Sequence, residues 1–242
     1  MPNKRFPTTR QSAVEALKSS DKDGRTRAYH TILDCYWKPA YKYIRVRWQE
    51  SPEDAEDLTQ GFFAVAFEKR YLERYDPSQA RFSAFLRVCI DRYIANQHKY
   101  ATRHKRSGAT KDVPLDFELA ESEICLYPIS QELTMEEFFD REWVRSLVTL
   151  AVASLEHECK ERGRTVHLFL FRRYDLEDAS EADAVTYNTL ADETGLTPTT
   201  VTNYLASIRR DFRRILLSHL REMTATDSEY RQEARRLFGI EI

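Results

Sequence analysis

Residues 81–106 read RFSAFLRVCIDRYIANQHKYATRHKR, and the two halves of this stretch differ in character. In the first half Phe82, Phe85, Leu86, Cys89 and Ile90 recur at helical spacing, the stripe of an amphipathic helix that faces a core. From Arg92 onward the chain carries Arg92, Lys99, Arg103, Lys105 and Arg106, with Tyr93, Tyr100, Asn96, Gln97, His98 and His104 among them. No carboxylate interrupts this second half. The spacing predicts one helix that runs from a buried anchor into a basic, aromatic and amide-bearing tract. Such a surface suits nucleic acid, because cations meet phosphates, planar rings stack on unpaired bases and amides reach base edges. Taken alone, the same tract also reads as a solvated basic face. The rest of the chain has to decide between the two.

The bulk composition favours helices. The 242 residues are 42% hydrophobic and 31% charged, with 6 glycines and 8 prolines, too few for a turn-rich all-β fold. Cys35, Cys89, Cys125 and Cys159 lie far apart without a CxxC pair and read as buried thiols of a reducing compartment. No apolar run approaches the ~20 residues of a membrane span, and the first ten residues lack the apolar core of a signal peptide. A cytoplasmic protein with no membrane contact and no cofactor or metal is therefore expected. The net charge of −2 conceals a segregation: residues 1–107 hold 21 Lys and Arg against 13 Asp and Glu, whereas residues 108–186 hold 8 against 18. Different parts of the chain are thus built to meet different partners.

Toward the N-terminus a polar arm leads into a short helix over 12–18. A long helical stretch over 26–49 follows, with a start or kink expected near Pro39. Its stripe of Tyr29, Ile32, Leu33, Tyr36, Trp37, Tyr41, Ile44 and Trp48 reads as core. Ser51-Pro52-Glu53-Asp54 places serine at the N-cap, proline at N1 and carboxylates in the first turn, and this starts a helix that runs to about residue 69. Ala55, Leu58, Phe62, Val65 and Ala66 share one face of it. Glu53, Asp57, Gln60 and Ala64 share another, a patch that can dock on a basic partner or simply stay solvated. Asp76-Pro77 marks the turn before residue 82.

After Arg106 the pattern breaks at Ser107-Gly108. Residues 112–142 contain ten carboxylates and one arginine, an acidic linker expected to be extended or partly helical. Helices are predicted again over 136–159 and 165–174, followed by a polar loop over 175–185. The segment from Thr186 to Leu217 is the most specific. Thr186 caps a short helix with Leu190 and Ala191 that ends at Gly195, and Thr197 then caps a second helix with Pro198 at N1. Alanine four residues before glycine and a β-branched Val201 six after it are the spacing of a helix-turn-helix. The inner stripe of the second helix is Val201, Leu205, Ile208 and Phe212. Its outer face carries Thr199, Thr200, Asn203, Ser207, Arg210 and Arg214, groups that reach base edges and flanking phosphates. A last amphipathic helix is expected over 228–238.

These stretches, in this order, resemble the extracytoplasmic-function type of bacterial RNA polymerase sigma factor, a two-domain sigma-70-like family. Asp54-Ala55-Glu56-Asp57-Leu58-Thr59-Gln60-Gly61-Phe62-Phe63 resembles the helix that clamps the polymerase β′ subunit. Phe82-Ser83-Ala84-Phe85-Leu86 with the basic tract resembles the melting and −10 recognition region, and residues 190–212 resemble the helix-turn-helix that reads the −35 element. The chain departs from the family at Gly61, where an acidic residue usually follows the glutamine, and at Phe85, where a tryptophan is common.

The resemblance implies an all-α chain of two small helical domains joined by an acidic linker, the second domain holding the helix-turn-helix. Its divisions are an arm and short helix over 1–24, a polymerase and −10 domain over 25–107, the linker over 108–135, a −35 domain over 136–223 and an extension over 224–242. It implies a transcription initiation factor, not an enzyme, with core RNA polymerase (β′ and β subunits), promoter DNA and an anti-sigma factor or other regulator as partners. Polymerase binding then falls to Asp54, Glu56, Asp57, Gln60 and Phe63. The −10 contacts fall to Arg92, Asn96, Gln97, Lys99, Tyr100, Arg103, His104, Lys105 and Arg106. The −35 contacts fall to Thr199, Thr200, Thr202, Asn203, Ser207, Arg209, Arg210 and Arg214. By the same resemblance the acidic linker passes through the basic RNA channel of the polymerase. Two other readings stand beside this one: a helix-turn-helix regulator that acts without polymerase, and an adaptor that keeps the clamp but reads no promoter. His98, His104 and Cys89 lack the spacing of a metal or catalytic site.

Overall fold

A computed structural model describes residues 12–101, 115–126, 133–177 and 185–242. The described residues form helices and no strand, so the chain is all-α. It divides into two compact units, one of residues 1–146 with 220–242 and one of residues 147–219.

The first unit is built on α2 (Lys22–Arg47), against which α1 (Ala13–Ala16), α3 (Pro52–Glu68) and α5 (Phe117–Leu126) pack. Asp21 caps α2 by accepting from the amides of Asp23 and Gly24. The helix then runs through Pro39 without the expected break. A proline inside a helix costs about 3 kcal/mol. Pro39 is buried together with Ala40 to Ile44, so burial on both sides of it offsets that cost. Tyr36 lies at the centre, its ring stacked 5.4 Å from Trp143 and 5.6 Å edge-on from Phe82. A 3₁₀ turn, Tyr71–Arg74, follows α3 after Arg70 in the left-handed region (φ 56°). Next comes α4 (Phe82–Ala101), which buries Phe82, Leu86, Ile90 and Ile94 at steps of four residues. Asp91 ties α4 to α2 by accepting from the Tyr43 hydroxyl and the Trp48 indole, each at 3.0 Å.

The acidic stretch contributes α5, whose Phe117 ring lies 5.4 Å from that of Trp37 and 5.0 Å from that of Tyr41. Its carboxylates meet cations of α2: Glu121 takes Arg45 at 2.6 Å, and Glu123 takes Lys42 at 2.6 Å and Lys38 at 2.9 Å. The first unit also holds the start of α6 (Met135–Glu161), the end of α9 (Pro198–Glu222) and α10 (Asp227–Phe238). This grouping differs from the division read along the sequence. Trp143 and the buried Ala234 bring residues 136–146 and 220–242 to the same unit as the basic helix.

The second unit takes the later turns of α6, then α7 (Thr165–Phe171), α8 (Tyr187–Thr194) and most of α9. A π turn, Arg172–Leu176, continues α7 into the stretch expected to begin a loop. Its core is Leu170, Leu190, Ala191, Val201 and Leu205. No helix among the described residues is long and apolar enough to cross a membrane. Cys35 and Cys159 are buried as expected, Cys89 is half-buried, and Cys125 is exposed at the end of α5, contrary to the reading of all four as buried.

Candidate nucleic-acid interface

The end of α3, the 3₁₀ turn and α4 enclose a groove of about 590 Å³. Val65, Phe85 and Cys89 form its apolar lining, with the rings of Tyr71 and Tyr93 as walls. Lys69, Arg74 and Arg92 rim it, and Asn96 and Gln97 supply amides. The lining carries no carboxylate, and none of these three cations is in an ion pair among the described residues. The Arg74 guanidinium lies 5.9 Å from the Tyr71 ring centroid, a cation–π contact that leaves its hydrogen-bond donors unspent among the described residues.

The groove owes its shape to close approach of two helices. A Cβ built on Gly61 would lie 2.4 Å from the Tyr93 hydroxyl, so the absent side chain at Gly61 is what seats Tyr93. The Tyr93 ring also meets Phe62 edge-on at 5.7 Å. Burial pushes the Tyr93 phenol up, against a hydrogen bond from Gln97 that pulls it down. Burial likewise pushes the Cys89 thiol up to about 11, even with Arg92 and Arg74 near. A neutral thiol is a small apolar surface, not a nucleophile.

Of the residues read as −10 contacts, Arg92, Asn96 and Lys99 are exposed on α4 and Gln97 is half-buried. Tyr100 continues the helix, with its side chain outside the described residues, and Arg103, His104, Lys105 and Arg106 also lie outside them. His98 is held by Glu50 at 2.7 Å and lies edge-on to Trp48. Sequence reading missed Lys69, Tyr71 and Arg74. They stand on a turn without periodicity, so only the fold brings them opposite α4.

On α3, Asp54 and Asp57 are exposed, and Glu56 and Gln60 are half-exposed. Asp54 also serves the helix start, because its amide donates to Ser51 and its carboxylate accepts from the Ser51 hydroxyl. Phe63 leaves the set: it is 3% exposed, and its carbonyl accepts a hydrogen bond from the buried Tyr29 hydroxyl. The apolar group on the outer side is Phe67, 41% exposed.

In the second unit α8 ends at Gly195 (φ 69°), and the Leu196 amide donates back to Ala191 at 3.1 Å. Thr197 caps α9 by accepting from the Thr200 amide at 3.2 Å. Thr199, Thr202, Asn203 and Arg210 are exposed, and Thr200 is half-buried beside the cap. Three residues of the −35 set are engaged inside the unit instead. Ser207 accepts from Arg164 at 2.9 Å, and Arg214 pairs with Glu158 at 2.8 Å. Arg209 forks onto Asp175 and lies 5.2 Å from the Tyr174 centroid; hydrogen bonding to Asp175 raises its already high pKa. Arg209 is a brace between α9 and the π turn.

No curated protein and no solved structure matches the chain. Residues 36–104, which span the later part of α2, all of α3, the 3₁₀ turn and α4, match the family described as Sigma-70 region 2. The groove and the exposed face of α3 thus lie in a segment similar to sigma-70 region 2, and this match supports a sigma-70 family factor with a part in transcription initiation.

Proposed function

We propose that the chain is an extracytoplasmic-function type sigma factor that binds core RNA polymerase, recognises a promoter and opens it. The observation that supports this most is the groove between the end of α3, the 3₁₀ turn and α4: aromatic walls, two amides and three cations that are unpaired among the described residues. Opening duplex costs about 1.4 kcal/mol per base-pair step. Stacking one released base on a ring returns about 1–3 kcal/mol. Capture of a single base in the groove therefore offsets the opening of one step, while Lys69, Arg74 and Arg92 hold the phosphates on either side. Asp54, Asp57 and Gln60 supply the polymerase contact from α3. The α8–turn–α9 pair acts as the helix-turn-helix at −35, with Thr199, Thr202, Asn203 and Arg210 as its free polar face. The acidic stretch follows the same logic. Glu121 and Glu123 already exchange hydrogen bonds with Arg45, Lys38 and Lys42, so transfer to a basic polymerase channel replaces like with like.

Run-off transcription with purified core polymerase on a promoter library tests this reading. Stimulation on a subset of templates, with co-purification of core, is the expected result. No stimulation on any template together with no association with core would sink it. Promoter binding by the isolated protein would favour a regulator that acts without polymerase.

A further inference from the structure

The C-terminal helix is bonded into the start of α4. Glu229, in the first turn of α10, is 8% exposed and fully engaged. One carboxylate oxygen lies 2.6 Å from the Tyr75 hydroxyl and accepts from the Phe82 amide at 3.2 Å; the other accepts from the Ala225 amide at 2.7 Å. The Phe82 amide is one of the donors that a helix N-terminus leaves without an intrahelical partner. The residue before it is Arg81, whose side chain has donors only and so cannot cap the helix. Glu229 supplies the missing cap from 147 residues away in sequence. A carboxylate also complements the positive end of the helix dipole.

The same carboxylate fixes the wall of the groove. Tyr75 is buried, with its ring 5.1 Å from Phe82 and 5.4 Å from Phe85, and Phe85 lines the groove. One helical turn further along α10, buried Glu233 pairs with Arg236, and Asp140 takes both Arg236 at 2.7 Å and Arg81 at 3.1 Å. From the other end of the chain, Lys18 donates to the Tyr75 carbonyl at 2.7 Å, and Glu222 accepts from the Ala13 amide at 3.0 Å. Neither terminal segment belongs to the stretch that matches region 2.

We propose that residues after Met223 are a working part of the promoter-melting unit, with Glu229 as the positioning residue that caps α4 and sets Tyr75, and through it Phe85, at the groove. The proposal rests on the function proposed above for that groove. Glu229→Ala, Glu229→Gln and Tyr75→Phe in the full chain, assembled with core polymerase, test it. Glu229→Ala leaves core affinity within twofold and lowers promoter opening, read by permanganate reactivity of −10 thymines, about tenfold. Glu229→Gln, which keeps an acceptor oxygen for the Phe82 amide, recovers most of the loss. Tyr75→Phe adds little to Glu229→Ala. Equal loss of core binding and opening, or no loss of opening, overturns the proposal. Hydrogen exchange of the first-turn amides of α4 separates this from failure of the wider reading. Faster exchange in Glu229→Ala, restored in Glu229→Gln, supports the positioning role even where wild-type protein proves inactive with polymerase. Unchanged exchange overturns it in every case.

Discussion

Gly61 and Tyr93 act as a pair whose meaning neither residue shows alone. In sequence Gly61 stands where the resembling family has an acidic residue; in the fold it is the space that the Tyr93 hydroxyl fills. Alanine is worth about 1 kcal/mol more than glycine in a helix interior. Gly61→Ala gains that only if Tyr93 can yield, and the obstructing atom is the far end of a side chain. Urea unfolding is therefore expected to show little net gain for Gly61→Ala alone and a gain of roughly 0.5–1 kcal/mol for the same change in a Tyr93→Phe background. Equal effects in both backgrounds would disprove the coupling. Lys42 is the second such residue. Set among tyrosines of α2, it is 2% exposed and lies 2.6 Å from both Glu123 and Glu142, the latter 3% exposed. Removing one partner of a buried ion pair costs about 3–5 kcal/mol. Lys42→Met belongs at the low end of that range, because Glu142 retains Arg145 and Glu123 retains Lys38. Adding Glu142→Gln to Lys42→Met should restore part of the loss in the same unfolding experiment, since a neutral amide no longer calls for a cation.

At the scale of elements, α5 is held on α2 by charge as well as by Phe117. The hydrogen bond from Arg45, ahead of an opposing effect of burial, keeps the Glu121 carboxyl below its ordinary value of 4.5. For Glu123 burial pushes upward, but hydrogen bonds from Lys42 and Lys38 outweigh it and the net direction is again downward. A carboxyl whose folded pKa is depressed contributes stability that is complete above its unfolded value and is lost as pH falls through the folded one. Amide protection of residues 117–126, corrected for intrinsic exchange, should stay level from neutral pH to about 5 and fall below about pH 4.5. Protection that rises in acid would contradict this docking. The groove is likewise a product of elements, since the 3₁₀ turn brings Arg74 opposite α4. Each phosphate neutralised on single-stranded DNA adds about 0.7 to the slope of log affinity against log salt. Arg74→Ala is expected to flatten that slope by about 0.7 for a single-stranded oligonucleotide, whatever its sequence. A change confined to particular sequences would assign Arg74 to base reading instead.

At the scale of the whole molecule, acidic and basic segments that are distant in sequence neutralise each other within the first unit. Arg81 and Arg87 meet Glu136, Arg81 and Arg236 meet Asp140, and the cations of α2 meet α5. Among the described residues, the carboxylates of α3 and the cations at the rim of the groove take no part in these ion pairs, and they form the two surfaces that the proposed function uses. Asp57 is exposed on the first of these. Asp57→Arg should lower core polymerase binding at least a hundredfold in a pull-down titration and leave the circular dichroism spectrum unchanged. Binding that survives would remove α3 from the polymerase contact.

By itself the sequence determined the helices and their faces, because periodicity, caps and breakers act over a few residues. The 20-residue helix from Phe82, the Ser51 cap and the turn at Gly195 were all legible that way. It also carried the region 2 resemblance, since that motif is contiguous in the chain. Only the tertiary structure decided which residues of each face are spent internally. Phe63, Arg209, Ser207 and Arg214 look available on a helical wheel, yet partners far along the chain occupy them. Lys69, Tyr71 and Arg74 look like a plain turn, yet they close the groove. The basic helix at residues 82–101 was recognisable from its own composition. Its cap was not, because the carboxylate that provides it is Glu229, brought there by packing that no local pattern encodes.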